Sequence, residues 1–250
     1  MLLQRLQLTN LKPSPSPSVL GKNLSIDDGS PLNDPFIYRS TVGMLQYLTT
    51  TRLDIAYIVN HLSQFLQRPT DAHWQAVKRV LRYVSATKNF GLFFQPSSDL
   101  SISTYSDADW ASNIDDRNFV ACVFVGSNLV SWSSKKQTVV ARSSTESEYR
   151  ALAHTASEVI WLNQLLSKLG MLSFIKPIIW YDHLSVGAIA TNPVFHAKTK
   201  HIEIDAHFVR DHVLRGGSSV CSLIQLASRL PYKTPYTLSL LVSSLQTRST

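Results

Sequence analysis

Apolar residues follow two different periods along this chain of 250 residues. Within residues 37–86 they recur at the 3.6-residue spacing of amphipathic helices. The segment 71–87 shows this most clearly, because four large apolar residues fall on one side of the predicted helix. These four residues are Trp74, Val77, Leu81 and Val84. The pattern therefore predicts that residues 37–86 form a helical segment.

From about residue 100 the apolar pattern changes to that of short β-strands separated by Asn, Asp, Gly and Ser. The predicted elements are strands at 100–107, 119–127 and 128–134, a helix from Thr145 to Leu169, a strand at 175–182, a helix at 201–214 and a strand at 218–225. The fourth strand is expected to be buried on both faces. The order β-β-β-α-β-α-β predicts an α/β fold, with a hairpin-built antiparallel part followed by parallel strands and crossover helices.

The long predicted helix has one apolar stripe that is expected to face the sheet. Its members are Leu152, Ala156, Val159, Leu162, Leu166 and Leu169. Residues 10–35, by contrast, are rich in Pro, Ser, Asn and Asp. This composition predicts an extended connector that forms no part of a core.

The composition limits the class of protein. Hydrophobic residues make up 44% of the chain and charged residues only 16%, which excludes disorder throughout. The net charge of +7 fits a polyanionic partner such as nucleic acid, although ordinary protein surfaces carry similar charge. No apolar run approaches the ~20 residues of a transmembrane helix, so no membrane partner is expected. Cys122 and Cys221 lie outside any Cys-x-x-Cys motif, which gives no zinc motif and favours a reducing, intracellular environment.

Three basic residues occupy the polar faces of the helix predicted at 71–87. They are Lys78, Arg79 and Arg82. They fit a solvated basic face, and they also fit a helix that contacts phosphates. Charge alone does not separate these interpretations.

Three acidic residues are predicted to meet at one end of the sheet. Asp107 ends the first strand, Glu148 lies in the first turn of the long helix, and Asp182 ends the fourth strand. Strand ends that face helix turns are where α/β sheets assemble sites. Converging carboxylates repel one another unless a cation lies between them, and Mg²⁺ prefers such oxygen ligands. Two such ions about 4 Å apart activate a water and stabilise the leaving oxygen in phosphodiester cleavage.

Each of these acids also has a purely structural interpretation. Asp107, with its neighbour Asp109, fits a turn that follows a strand. Thr145 and Glu148 fit the T-x-x-E pattern of a helix capping box. Asp182 fits a cap for the helix that follows it. Taken singly, each residue leaves both interpretations open.

Several stretches of the chain resemble the ribonuclease H region of copia-type retrotransposon polyproteins. They are YSDADWA at 105–111, WSSKKQTVVARSSTESEYRALA at 132–153 and AIATNPVFHAKTKHIEIDAHFVRDHV at 188–213. Two earlier stretches resemble the connecting segment downstream of the polymerase in the same polyproteins. They are YRSTVGMLQYLTTTRLDIAYIVNHLSQF at 38–65 and AHWQAVKRVLRYV at 72–84. The resemblance extends from about residue 2 to about residue 228.

The resemblance implies a ribonuclease H-like fold, in which helices flank a mixed five-stranded sheet and a small helical connection segment precedes it. It also implies hydrolysis of the RNA strand of RNA–DNA hybrids with two Mg²⁺ (or Mn²⁺) ions. Residue by residue, it assigns Asp107, Glu148 and Asp182 as the catalytic metal ligands. Asp109 and Glu146 belong to the same motifs and are second choices.

The resemblance further implies that Lys135, Lys136 and Arg142 contact the phosphates of a hybrid. The other implied partner is the rest of a reverse transcriptase polyprotein, because no polymerase motif is present in this chain. The implied organisation is an extended connector at 1–36, a helical connection segment at 37–95, a ribonuclease H-like domain at 96–230 and a divergent tail at 231–250.

One departure from the family pattern concerns the fourth acid of the implied metal site. The family has an aspartate after Gln-Leu-Ala, whereas this chain has Ser228 after Gln225, Leu226 and Ala227. Glu203 and Asp205 are acids nearby in the sequence, but the motif does not assign either as the missing ligand. The alternative expectation is therefore a catalytically impaired remnant that binds nucleic acid.

Overall fold

The computed structural model describes residues 12–19, 24–108, 118–137, 141, 143–171, 175–181, 203–214 and 219–222. The chain forms two compact units that divide after Leu92. The finer division expected from the sequence, with boundaries after residues 36, 95 and 230, stays a prediction.

The first unit is helical. It contains helices α1 (Pro35–Leu48), α2 (Ala56–Ser63) and α3 (Asp71–Ala86), with a 3₁₀ turn at Leu53–Ile55. The side chain of Asp34 caps α1 by accepting the N–H of Phe36. The hydroxyl of Thr70 caps α3 by accepting the N–H of His73, whose ring in turn accepts the N–H of Thr70. The apolar faces of the three helices meet in one core.

The stretch before α1 also contributes to this core. Leu24 is 6% exposed and packs among the core residues of the helices. The carbonyl oxygen of Ser25 lies 2.9 Å from Nε2 of His73, and the backbone of Pro31 pairs with that of Thr70. The prediction that residues 10–35 form no part of a core is therefore wrong for Leu24, because these backbone contacts hold the stretch beside α3.

A buried ion pair fixes the end of α3. Arg52 donates through Nε and Nη2 to the two carboxylate oxygens of Asp54, at 2.9 and 2.7 Å. Its Nη1 donates to the carbonyl oxygen of Thr87 at 2.8 Å. Both charged side chains are at most 5% exposed. Because each buried charge has a partner, the pair holds the residue after α3 against the 3₁₀ turn.

The second unit is an α/β unit built on a mixed sheet. Its elements are strands β1 (Ile102–Ala108), β2 (Asn118–Val125) and β3 (Asn128–Lys136), helix α4 (Ser144–Lys168), strand β4 (Ile178–Tyr181), helix α5 (Glu203–Leu214) and strand β5 (Ser219–Ser222). The strand order is β3-β2-β1-β4-β5, antiparallel from β3 to β1 and parallel from β1 to β5. The predicted order of elements and the mixed α/β sheet are confirmed.

Helix α4 packs on one face of the sheet through most of its predicted stripe. Leu152, Ala156 and Val159 are buried in a core shared with β1 and β4. The hydroxyl oxygens of Thr155 and Ser106 lie 3.1 Å apart in this interface. The prediction is wrong at its last position, because Leu169 follows the last residue of α4 and is 63% exposed.

Side chains alternate between the two faces of the sheet. On β4, Ile179 and Tyr181 are buried in the core under α4, whereas Ile178 and Trp180 on the other face are only partly buried. The expectation that this strand is buried on both faces is therefore wrong.

On β2, burial raises the pKa of the fully buried Cys122 thiol to about 12. None of the helices in the described part of the chain has the length and apolar content needed to cross a membrane.

The packing of α4 predicts unequal effects for two leucines of one predicted stripe. Leu152→Ala removes a fully buried side chain and should lower the free energy of unfolding by about 2–5 kcal/mol. Leu169→Ala changes an exposed side chain and should shift it by less than about 0.5 kcal/mol. Urea denaturation followed by circular dichroism measures both values, and equal losses would contradict the packing.

Candidate active site

Asp107 lies near the carboxyl end of β1. Along this strand Ser106 and Ala108 are buried, and Asp107 between them is partly exposed. Ser106 contacts α4 through Thr155, so alternation places Asp107 on the opposite face of the sheet. It lies opposite Val120 in the antiparallel pair with β2. Asp107 is thus a strand residue with a side chain at the rim, not a turn residue.

The start of α4 differs from the capping box weighed from the sequence. The N-cap is Ser143, whose hydroxyl accepts the N–H of Glu146 at 3.2 Å. Thr145 lies inside the first turn. The interpretation of Thr145 and Glu148 as a capping box is therefore wrong, because the helix begins two residues earlier.

The direction of α4 brings Glu148 toward the end of β1 that carries Asp107. Thr155 lies beside Ser106, and Ala151, one turn earlier, packs with Ala108 and Phe119. The helix therefore runs antiparallel to β1, and the turn that precedes Ala151 carries Glu148 to the carboxyl end of the strand. Glu148 is 9% exposed there. Asp107 and Glu148 thus share one end of β1 and belong to different layers.

Strand β4 ends at the same edge of the sheet. It runs parallel to β1, with Tyr105 opposite Trp180, and it ends at Tyr181. Asp182, the third predicted ligand, follows in the sequence and lies outside the described residues. Asp109 and Ser228 lie outside them as well.

Glu146, a second-choice ligand, is engaged elsewhere. Its Oε1 accepts from Nη2 of Arg150 at 2.9 Å, one turn along α4. Both side chains are largely buried, so each charge has the other as a partner in place of water. Glu148, the first choice of the family resemblance, stays the predicted metal ligand on this helix.

Two of the predicted ligands for a hard cation lie within the described residues. Asp107 and Glu148 offer carboxylate oxygens, which suit Mg²⁺ or Mn²⁺. Within the described ranges, no group of three or more His, Cys, Asp or Glu side chains gathers to hold a metal. Two of the three predicted ligands are thus at one end of β1, and the set is incomplete without Asp182.

A cleft of about 520 Å³ lies beside α4, between the end of β3 and the start of α5. Its polar lining includes Lys135 and Lys136 of β3 together with Arg150, His154 and Asp205. Lys135 and Lys136 are exposed, as a phosphate contact requires. Arg142, the third predicted contact, lies outside the described residues. The cleft is mainly basic, and apolar side chains of Phe119, Ile204 and Phe208 complete it.

Two titratable groups in the cleft have shifted pKa values. Burial lowers the pKa of His154, and the positive charge of Lys135 lowers it further. The ring of His154 also contacts Phe119, with 4.7 Å between ring centroids. Burial raises the pKa of the Asp205 carboxyl, while the Arg150 charge opposes that shift. His154 is thus held neutral, so the basic charge of the cleft comes from its Lys and Arg side chains.

The sequence did not assign Arg150, His154 or Asp205 to any site. The i, i+4 spacing of Glu146 and Arg150 was visible in the sequence. The sequence did not show that α4 packs near α5 and the end of β3, because this arrangement depends on how a distant helix packs. Asp205 lies in the basic cleft with Arg150, and the side chain of Glu203 lies outside the described residues. Neither is assigned as a substitute for a fourth metal ligand.

The chain is similar to curated retrotransposon proteins, although no family model matches it. It is 45% identical over 223 residues to the retrovirus-related Pol polyprotein from transposon RE2 of Arabidopsis thaliana, and 46% identical over 223 residues to that from transposon RE1. Each alignment covers 88% of this chain and 15% of the relative. An uncharacterized mitochondrial protein of the same plant is 44% identical over 162 residues, covering 64% of this chain and 67% of that protein.

The chain belongs to the family of copia-type retrotransposon Pol polyproteins, of which it represents one region. It spans about 15% of the length of the two Pol polyproteins that it matches. What the whole polyproteins do therefore does not transfer directly to it.

Two solved structures are weakly similar to the chain. One is the LC11 RNase H1 in complex with an RNA/DNA hybrid, with a TM-score of 0.37 and 13% identity, covering 49% of this chain and 83% of that one. The other is the RNase H1 of the archaeon Halobacterium salinarum, with a TM-score of 0.31 and 12% identity, covering 52% and 89%. At these TM-scores the likeness does not establish a shared fold.

The cap of α4 predicts that substitution of two nearby hydroxyl residues by alanine lowers stability by different amounts. Ser143→Ala removes the acceptor for the N–H of Glu146 and should cost about 1 kcal/mol of stability. Thr145→Ala, inside the first turn, should change stability by less than about half as much. Chemical denaturation of both variants measures this, and a larger loss for Thr145→Ala would restore the rejected capping box.

The cleft predicts a coupling between His154 and Lys135. Lys135→Gln removes a positive charge that disfavours the imidazolium, so the pKa of His154 should rise toward its ordinary value near 6.5. Titration of the imidazole signals by NMR measures the shift. Lys168→Gln, at the other end of α4, is the matched control and should leave the pKa unchanged. An unchanged pKa in Lys135→Gln as well would contradict the placement of Lys135 beside His154.

Proposed function

We propose that the α/β unit is a ribonuclease H-like domain that hydrolyses the RNA strand of RNA–DNA hybrids. The observation that supports the proposal is that β1 and α4 carry Asp107 and Glu148 to the same end of the sheet, one from the strand layer and one from the helix layer. The parallel strand β4 ends at this edge too, directly before Asp182. The α/β order and the family of the chain agree with this assignment.

Asp107, Glu148 and Asp182 would hold two Mg²⁺ (or Mn²⁺) ions. When bound, such ions supply an activated water and neutralise charge on the scissile phosphate. The role of the chain is to place oxygen donors from a strand and a helix at one edge. Glu148 lies on a helix that packs against the buried residues Ser106 and Ala108 of β1, and packing of this kind supports the position of a donor.

The basic residues at the cleft would contact the nucleic acid. Lys135 and Lys136 are exposed at the end of β3, and Arg142 belongs to the same predicted set. A hybrid has a wide, shallow minor groove in which one strand carries 2′-hydroxyls. Selection of that strand would account for cleavage of RNA and not of DNA.

A second function follows from the residue at the position of the fourth acid. Ser228 has a hydroxyl there and supplies no negative charge. The alternative is a catalytically impaired remnant that keeps its basic cleft and binds hybrids without cutting them. Exposed Lys135 and Lys136 favour binding under either proposal.

The test is cleavage of a labelled RNA–DNA hybrid by the purified full chain with Mg²⁺. Asp107→Asn and Glu148→Gln should each lower the rate at least about 100-fold, which corresponds to roughly 2.7 kcal/mol of barrier. Asp99→Asn is the matched control, because Asp99 is an exposed carboxylate just before β1. It should keep the wild-type rate.

The outcomes separate the two proposals. Equal cleavage by all four proteins would overturn these ligands. If none of them cleaves, the nuclease proposal fails. Hybrid binding that weakens steeply with salt, and that Lys135→Gln reduces, would then support the binding remnant.

A further inference from the structure

The three basic residues of α3 are not a uniformly solvated face. Lys78, Arg79 and Arg82 are all only partly exposed, and the two arginines line a cavity of about 200 Å³ in the helical unit. Lys78 does not line it. The arginines therefore have a different environment from the third cation of the same helix.

The wall formed by α3 is concave because two of its residues are alanines. Ala72, Gln75 and Ala76 lie one and two turns before Arg79 and Arg82 on the same side of the helix. Small side chains at 72 and 76 leave the space that the guanidinium groups border. The opposite wall includes Ser18 of the N-terminal segment and Ile58 of α2.

The guanidinium groups in this cavity have unused donors. Nε of Arg79 and Nε of Arg82 are both buried and have no hydrogen-bond partner among the described residues. Nη2 of Arg79 donates to the hydroxyl of Ser16 at 2.9 Å. Within the described ranges neither arginine forms an ion pair with a carboxylate. Two cations with buried, unused donors favour an anionic ligand, because an unpaired buried charged donor is costly.

The ligand chemistry follows from the geometry of the donors. Guanidinium groups present donors in a planar fork that matches the oxygens of a phosphate. The cavity holds roughly six water molecules at about 30 Å³ each, which is room for one phosphate group. Val19 at its border is 49% exposed, so the cavity opens to the surface. A phosphate that belongs to a longer polymer can therefore enter while its neighbours stay outside.

We propose that Arg79 and Arg82 of the helical unit bind a backbone phosphate of a nucleic-acid strand. This contact lies in a different unit from Asp107 and Glu148 and does not depend on cleavage. It makes the connection segment a nucleic-acid-binding element in its own right.

The test measures binding of the full chain to a labelled RNA–DNA hybrid in EDTA, which prevents metal-dependent cleavage. The double variant Arg79→Gln/Arg82→Gln should weaken binding about tenfold or more at low salt. The slope of log K against log salt concentration should fall by about 0.9, the value for one lost phosphate contact. Lys78→Gln is the matched control and should change both quantities less.

A second variant keeps the test decisive if the double variant does not fold. Ala76→Leu fills the cavity without a change in charge and should weaken binding, while circular dichroism verifies that the helices remain. The variant Arg79→Lys/Arg82→Lys retains both charges but loses the planar pair of guanidinium donors. It should therefore bind the hybrid more weakly than wild type and more tightly than the glutamine variant.

Three results would overturn the proposal. Equal weakening by Lys78→Gln would mean that diffuse charge, and not the cavity, carries the contact. Unchanged affinity and salt slope in Ala76→Leu and in the double variant would exclude the contact. Inorganic phosphate that raises the melting temperature of wild type but not of the double variant, with hybrid binding unaffected, would identify the ligand as free phosphate.

Discussion

The parallel pairing of β1 with β4 determines the layout of the α/β unit. Two parallel strands require a crossover, and α4 is its main element. Its 25 residues extend about 37 Å, whereas the seven residues of β1 extend about 23 Å. The first turns of α4 lie at the carboxyl end of β1, so the excess length lies at the other end of the helix. This explains why Glu148 reaches the strand end near Asp107 while Leu169 is left exposed.

Periodicity predicted the elements well and their ends less well. The stretch SSTESE at 143–148 contains two overlapping S/T-x-x-E patterns, Ser143 with Glu146 and Thr145 with Glu148. Both satisfy the capping rule, and only the packing of α4 on the sheet selects the earlier one. The predicted apolar stripe of α4 is wrong at Leu169 for a related reason. The helical spacing of apolar residues continues in the sequence past the end of the sheet that the helix covers. A short-range sequence pattern gives no information about the length of the strand against which the helix packs.

The basic residues of α3 show a different limit of sequence patterns. Lys78, Arg79 and Arg82 form one charge cluster in the sequence, yet the structure gives them different surroundings. Ser16 contacts Arg79 from 63 residues away, and nothing local to α3 predicts that contact. The positions of the candidate acids were easier to predict, since the order of the elements alone brings the end of β1 and the start of α4 to one end of the sheet. Positions set by the order of the elements can be predicted from sequence, whereas contacts between distant segments cannot.

The buried thiol of Cys122 gives the sheet an internal chemical reporter. The thiolate is the reactive form of cysteine, and a thiol with a pKa near 12 is almost entirely protonated at neutral pH. Being fully buried, it is also inaccessible to reagents. Its reaction with an alkylating or oxidising agent therefore requires β2 to separate from its neighbours. The rate of that reaction follows the opening of the sheet, and so Cys122 records how often the α/β unit comes apart.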